Sequence, residues 1–288
     1  MIRPTFRTLL PALLVAALPL LASPPAAAQE IRPIPESLRG TWFSGACEEP
    51  DAMLAVFARS VARVPATGPG RLDRFTEAHE QGGWTLGISR GVEQPRLLLR
   101  GTAAGLDTAE PDNKTRDDRL PGDAPVSAWR RCDAPPAAWV LRHGEALAVL
   151  ASLEVVEAAC TGPVAPCAEA LVAQADVSGD RLLSTAELAR LVRGLAWITA
   201  LGEGASAEEA GLVTGGGVIG GVVLARMAVQ NLDYDDDGKL SARELTQDRA
   251  GFPAGGGAAA GRPLRLEGIG EAIAFLRGLV DGLLGGER

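Results

Sequence analysis

Four acidic side chains fall at regular positions within one stretch of twelve residues. Asp233, Asp235 and Asp237 occupy alternate positions, and Glu244 ends the stretch. Carboxylate oxygens are hard ligands, and a curling chain turns alternate side chains toward one centre. Gly238 allows the positive φ that a continuing curl needs. The spacing therefore predicts a site for Ca²⁺, a hard cation that takes six to eight oxygens at about 2.3–2.6 Å.

This stretch, residues 233–244, resembles the calcium-binding loop of the EF-hand family at every informative position. The resemblance implies a loop between two helices that encloses one Ca²⁺. It implies two further ligands, the main-chain carbonyl of Lys239 and the side chain of Ser241, the latter directly or through water. Glu244 would supply both carboxylate oxygens, and Leu240 would point into the core. We call residues 233–244 the later loop.

A second stretch, residues 176–187, resembles the same motif and is called the earlier loop. Its implied ligands are the side chains of Asp176, Ser178, Asp180, Ser184 and Glu187 and the main-chain carbonyl of Leu182. Arg181 stands where the family has glycine, and a left-handed conformation costs such a residue about 1–2 kcal/mol. The formal ligand charge is −3 here and −4 in the later loop. We therefore expect weaker Ca²⁺ binding in the earlier loop.

The resemblance covers residues 165–250, less than a third of the chain. Loops of this family lie side by side through a short strand contact at their eighth positions, which are Leu183 and Leu240 here. The interval between the two loops is longer than a compact pair needs. The geometry of pairing is therefore left open by the sequence.

The first 28 residues have the composition of a secretory signal. Arg3 and Arg7 precede an apolar run over residues 9–21, and small residues precede Gln29. A membrane anchor is the alternative, although the run is short and interrupted by proline. Without this segment the net charge changes from −8 to about −10, because two arginines are removed. An acidic exported chain of this kind argues against nucleic-acid binding.

The chain has four cysteines, which suggests two disulfides in an exported protein. Three pairings are possible. We favour Cys47 with Cys132 and Cys160 with Cys167, because each pair then stays within one apparent domain. The alternative, a zinc site with four cysteine ligands, lacks the usual two-residue spacing between ligands.

Residues 36–135 are predicted to be β-rich, because short apolar runs alternate with glycine and proline. The segment 53–64 fits a short helix or a strand, and helix is the preferred interpretation. Gly40-Thr41-Trp42 resembles the opening of a lipocalin-type barrel. That resemblance supports an alternative function, in which this β module binds a small ligand or a protein and calcium is purely structural.

Helical periodicity dominates the second half of the chain. Helices are expected over residues 145–159, 168–175, 186–201 and 218–232, with Gly/Ala-rich connectors at 202–217 and 251–263. An amphipathic helix is expected over 264–285. A membrane span at 211–225 is disfavoured, because the apolar run is too short.

The predicted fold class is therefore α+β. It consists of a signal peptide over 1–28, a small disulfide-closed β-rich module over 36–135, and an all-α EF-hand pair over 139–250.

No nucleophile, phosphate-binding or zinc-protease motif is present, and the scattered carboxylates of the β module do not by themselves indicate a hydrolase. His79 and His143 are expected in loops or on the surface. The sequence therefore predicts an exported, periplasmic or secreted, non-catalytic calcium-binding protein. Its expected partners are the calcium ion and a protein, with no stable membrane span after cleavage of the signal.

Overall fold

The computed structural model describes residues 32–89, 94–247 and 249. The described residues divide into two compact units. The first, the β unit, runs to Ala137 and includes Leu201–Glu208. The second, the helical unit, comprises Ala138–Ala200 and the residues from Glu209 onward. The predicted signal segment, the connector 251–263 and the amphipathic stretch 264–285 lie outside the described residues.

The β unit is one antiparallel sheet in which each strand pairs with the next along the chain. Its strands are β1 Gly40–Gly45, β2 Pro50–Val56, β3 Ser60–Pro65, β4 Arg71–Gln81, β5 Trp84–Ser89, β6 Arg96–Thr102, β7 Gly105–Ala109 and β8 Val126–Trp129. Most connections are short because neighbouring antiparallel strands need only a hairpin turn, but a long loop joins Ala109 of β7 to Val126 of β8.

The sheet curls until its first strand meets the chain that follows its last strand. Phe43 and Arg130 exchange two backbone hydrogen bonds of 2.8 and 2.9 Å, which bridge β1 to the end of β8. Large apolar side chains fill the inside of this near-barrel: Ile34, Leu38, Trp42, Leu54, Phe75, Leu97, Leu99, Leu106 and Trp129. Closure protects the edge strands, which would otherwise present unpaired backbone groups.

The predicted fold class, a small β-rich module followed by an all-α EF-hand pair, is wrong. The structure has an eight-stranded antiparallel near-barrel sheet followed by a few helices. The sheet is larger than expected because Pro50–Val56 and Ser60–Pro65 are two strands, where a helix over 53–64 was preferred. The residues Met53–Val56 are all buried. A strand buried on both faces shows no alternation, so its apolar run resembles that of a buried helix.

Both predicted disulfides are confirmed. Cys47 pairs with Cys132 across 85 residues of sequence, and Cys160 pairs with Cys167 across 7. The first bridge joins the turn after β1 to the chain after β8, where the sheet closes. Disulfides of this kind are typical of proteins in oxidising compartments.

Five helices of the described residues supply the helical unit: α1 Ala137–Ala159, α2 Val164–Ala175, α3 Thr185–Gly202, α4 Ala207–Leu232 and α5 Ala242–Thr246. The first residue of α1, the last two of α3 and the first two of α4 belong to the β unit. The prediction of a connector over 202–217 is wrong, because α4 already begins at Ala207. Glycine disfavours an isolated helix, but close packing requires it at some positions. A Cβ on Gly211 would lie 2.6 Å from the side chain of Arg142. Among the residues described, no helix combines the length and apolar character needed to cross a membrane.

The core of the helical unit gathers buried apolar residues from α1, α2, α3 and α4 and one residue from each loop. Its buried members are Val149, Val172, Ala175, Leu183, Leu191, Val229 and Leu240. Glycine again permits a close approach, since a Cβ on Gly194 in α3 would lie 2.5 Å from Val149 in α1. The core therefore fixes the bases of both loops through Leu183 and Leu240.

His143 is buried, which corrects the expectation of a surface or loop residue. Only 1% of its surface is exposed, and its Nδ1 accepts a 3.1 Å hydrogen bond from the indole N–H of Trp197. Burial, with a contribution from the positive charge of Arg142, lowers the pKa of His143 to about 4. The imidazole is therefore neutral in the folded protein above that pH.

We expect His143 to make folding stability sensitive to mild acid. An unfolded histidine titrates near 6.5, so between pH 6.5 and 4 the unfolded chain binds a proton that the folded chain does not. The free energy of unfolding is therefore highest above pH 6.5, and it falls by at most about 3 kcal/mol as the pH decreases toward 4. Urea unfolding at pH 7, 6 and 5 should show a shallower pH slope for His143→Gln, which retains an acceptor for Trp197. Equal slopes in the two proteins would contradict this.

Candidate metal centre

The two loops lie side by side through the predicted contact at their eighth positions. Leu183 donates to the carbonyl of Leu240 at 2.8 Å, and Leu240 donates to the carbonyl of Leu183 at 3.0 Å. Both side chains are fully buried in the helical core. This reciprocal bridge sets the register of one loop against the other.

The two loops follow the same backbone path but carry their glycines at different positions. The fourth position is left-handed in each, with φ of 81° at Gly179 and 63° at Asp236. The sixth position is also left-handed, with φ of 63° at Arg181 and 83° at Gly238. Each loop therefore places a glycine at one of these positions and a residue with a side chain at the other. The sequence pattern had singled out only the sixth position.

The first aspartate of each loop holds this path in place. Oδ2 of Asp176 accepts the amide of Arg181, and Oδ2 of Asp233 accepts the amide of Gly238, both at 2.7 Å. These equivalent bonds close each loop between its first and sixth positions. An aspartate side chain that accepts nearby amides is a common way to stabilise a tight turn.

The later loop brings three of its predicted ligands together. One oxygen from each of Asp233, Asp235 and Asp237 lies within 4.8 Å of the other two. Two oxygens that each lie 2.3–2.6 Å from one ion are at most about 5 Å apart, so this spacing fits a shared Ca²⁺. Loss of hydration and the charges of Asp237 and Glu244 raise the pKa of Asp235. The crowding of negative charge is what a cation would relieve.

Glu244 lies outside that group of three and closes the loop through hydrogen bonds. Its Oε1 accepts the amide of Tyr234 at 2.9 Å, and its Oε2 accepts the amide and hydroxyl of Ser241 at 2.8 and 2.7 Å. Ser241 in turn caps the first turn of α5, which completes a capping box. Although burial opposes ionisation, these hydrogen bonds lower the pKa of Glu244 and keep its carboxylate charged.

Glu187 performs the same task in the earlier loop. Its Oε1 accepts the amides of Val177 and Ser178 at 2.8 and 2.9 Å, and its Oε2 accepts the amide and hydroxyl of Ser184. Burial works against the charged form, but the four donors lower the pKa of Glu187 to about 2. Within the described part of the chain, Asp176, Asp180 and Glu187 do not form a group like that of the later loop.

Asp180 is engaged on both oxygens. Its Oδ1 accepts the amide of Leu182 at 3.0 Å, and its Oδ2 contacts the ammonium of Lys239 from the later loop. The hydrogen bond between the two side chains lowers the pKa of Asp180 and raises that of Lys239. The amide of Lys239 donates to Oδ1 of Asp237 at 2.8 Å, so its main chain belongs to the later loop. Sequence reasoning missed this ion pair because it considered only the carbonyl of Lys239.

The other predicted ligands of the earlier loop include the hydroxyl of Ser178 and the main-chain carbonyl of Leu182. Ser178 donates its hydroxyl to Oδ1 of Asp176 at 3.1 Å, and so supports the first ligand of the earlier loop. The main-chain carbonyls of Leu182 and Lys239 stay predicted ligand atoms.

Comparison with known proteins finds no match for this chain, whether among family models, curated proteins or solved structures. What the chain does must therefore be inferred from the chemistry of its own residues. The two loops are the part of the described structure where carboxylates, backbone geometry and spacing point to the same kind of ligand.

We expect Arg181→Gly to stabilise the protein. The left-handed conformation costs a residue with a side chain about 1–2 kcal/mol, and glycine removes that cost. Glycine also makes the unfolded chain more flexible, which lowers stability by about 0.4–1 kcal/mol. The net gain should be about 0.5–1 kcal/mol in urea unfolding with a calcium chelator present. Asp236→Gly is the matched control and should gain less, because aspartate tolerates this conformation better. A less stable Arg181→Gly protein would contradict this account.

Proposed function

We propose that this protein is a non-catalytic calcium-binding protein whose main site is the later loop. The observation that carries the proposal is the grouping of three carboxylate oxygens, from Asp233, Asp235 and Asp237, within 4.8 Å of one another. They lie in a loop whose spacing resembles that of the EF-hand family. Oxygen donors without nitrogen or sulfur favour Ca²⁺ or Mg²⁺ over transition metals.

Each residue of the later loop has a defined role in this proposal. The three aspartates supply side-chain oxygens, Lys239 supplies its main-chain carbonyl, and Ser241 acts directly or through water. Glu244 provides its carboxylate from the start of α5. Ca²⁺ accepts six to eight oxygens in flexible geometry, whereas Mg²⁺ demands a stricter octahedron. The number of available oxygens therefore favours calcium.

Glu244 links metal binding to the fold of the helical unit. Its carboxylate joins the beginning of the loop, at Tyr234, to its end, at Ser241. A cation held by Glu244 and Asp233 would reinforce that same closure. Calcium would thus act by ordering the helical unit and so present a surface to a protein partner.

The earlier loop is the second, weaker site in this proposal. It has the same backbone path and the same closing glutamate, Glu187. It has one fewer formal ligand charge, and Asp180 is engaged by Lys239. Both differences favour weaker binding of a divalent cation.

A location outside the cytoplasm fits this role. The two disulfides are consistent with an oxidising environment, and the first 28 residues have the composition of a secretory signal. Calcium-binding modules outside the cell typically bind at about 10⁻⁴–10⁻³ M. We therefore propose a periplasmic or secreted protein that binds calcium in that range.

A second candidate function follows from the β unit. A cavity of about 470 Å³ lies at the rim of the near-barrel, where Leu38, Trp42, Arg130 and Arg131 contribute to its lining. That volume is in the range of small-molecule sites. The guanidinium of Arg131 lies 4.4 Å from the ring centre of Trp42. This candidate is a β module that binds a small anionic ligand with an apolar part, with calcium purely structural.

The main proposal predicts that Glu244→Gln loses calcium binding at the later loop. The amide has one oxygen and no charge, so the site loses a ligand oxygen and a full negative charge. Calorimetric titration of the mature protein should show calcium binding below about 1 mM, and the variant should bind at least tenfold more weakly. Asp236→Asn is the matched control, since it removes a charge at a position that is not a ligand. Wild-type affinity in Glu244→Gln would refute the ligand assignment.

Binding of an anionic naphthalene dye distinguishes the two candidate functions. The second candidate expects dye binding that is independent of calcium and is lost in Arg131→Ala. Dye binding that is absent, or unchanged in that variant, would remove the rim cavity from consideration.

A further inference from the structure

The side chain of Lys239 leaves its own loop and contacts the other one. Its ammonium pairs with Oδ2 of Asp180, and both side chains are just over one third exposed. The main chain of Lys239 remains within the later loop, fixed by its amide bond to Asp237. One residue therefore takes part in both loops, through its main chain in one and through its side chain in the other.

The register of the two loops accounts for this contact. Lys239 directly precedes Leu240, which exchanges two hydrogen bonds with Leu183. Asp180 lies three residues before Leu183, where the earlier loop turns back at Arg181. The bridge thus brings the fifth position of the earlier loop within reach of the seventh position of the later loop.

The contact has unequal consequences for the two loops. Asp180 is one of three formally charged ligands in the earlier loop, so an ammonium on its carboxylate reduces the local charge from −3 to −2. Within the described part of the chain, this ammonium forms no ion pair with the four predicted carboxylate ligands of the later loop, Asp233, Asp235, Asp237 and Glu244, although the charge of Asp237 contributes to the raised pKa of Lys239. An ammonium and a divalent cation compete for one carboxylate, since each reduces the attraction that the other feels.

We propose that the Lys239 ammonium is an internal competitor of calcium at Asp180, so that the two loops fill in order. The later loop binds first, and calcium enters the earlier loop by displacing Lys239 from Asp180. This inference rests on the proposed function, because it assigns a regulatory residue to the same pair of loops. It concerns the order and affinity of filling, and it leaves the ligands of the later loop as assigned above.

The first test compares two variants of the full-length mature protein that lose the same charge. Lys239→Met retains the main-chain carbonyl but removes the ammonium, and Arg243→Met removes an exposed charge from neighbouring α5. In calorimetric titrations at low salt, the weaker Kd should tighten about three- to tenfold in Lys239→Met, as expected for the loss of an exposed ion pair together with a nearby positive charge. It should change by less than about twofold in Arg243→Met. The effect should shrink at 0.5 M salt, because exposed charges are screened.

The second test measures how readily the side-chain amine of Lys239 is acetylated. The chain has two lysines, Lys239 and Lys114, and Lys114 is exposed in the β unit. Limited acetylation by an amine-reactive ester, read by mass spectrometry, gives the ratio of modification at the two sites. This ratio should hold steady while the later loop fills, and rise several-fold as the earlier loop fills. Lys114 controls for reagent activity and for any direct effect of calcium.

The outcomes separate this inference from the proposed function. Calcium binding to the later loop with equal effects of Lys239→Met and Arg243→Met would overturn the inference alone. The inference is also overturned if the ratio of acetylation does not change when the second ion binds. It is overturned equally if the Lys239→Met protein binds only one ion at 10 mM calcium. If the wild-type protein binds no calcium at that concentration, the proposed function fails and the inference fails with it.

Discussion

The geometry of the candidate metal centre depends on two reciprocal hydrogen bonds between Leu183 and Leu240. They hold two loops, separated by a long stretch of sequence, at a fixed spacing. Both leucine side chains are anchored in the core of the helical unit, so the bridge is tied to the packing of four helices. The approach of Lys239 to Asp180 follows from this register. A change in the core that shifted either leucine would therefore alter both loops together.

Glu187 and Glu244 show how a loop can be shaped for a cation by the protein's own donors. Each carboxylate accepts hydrogen bonds from both ends of its loop, and these bonds lower its pKa. A charged carboxylate is the form that a metal requires. Because the hydrogen bonds already hold the loop closed, part of the ordering cost of metal binding is met by folding. The same bonds compete with the ion for the carboxylate oxygens, which favours moderate affinity.

Local spacing could be read from the sequence, whereas features set by tertiary contacts could not. The alternate aspartates of the later loop and the two disulfides follow from residue type and position, and the structure brings them together as expected. The segment 53–64 was open to a helix or a strand, and the helix was preferred over the strands Pro50–Val56 and Ser60–Pro65 because a strand buried on both faces has no alternation to detect. The burial of His143 and the contact of Lys239 with Asp180 depend on which elements pack together. Gly179 was a usable local signal, since a glycine at the fourth position marks a left-handed residue.

The central claim is that the later loop gathers oxygens around one calcium ion. Crystals of the mature protein grown with millimolar calcium, measured for anomalous scattering, test it most directly. We expect a strong peak in the later loop, at about 2.3–2.6 Å from oxygens of Asp233, Asp235, Asp237 and Glu244. It is contradicted if the loop is well ordered, no peak lies among these carboxylates, and Glu244 still accepts the amides of Tyr234 and Ser241.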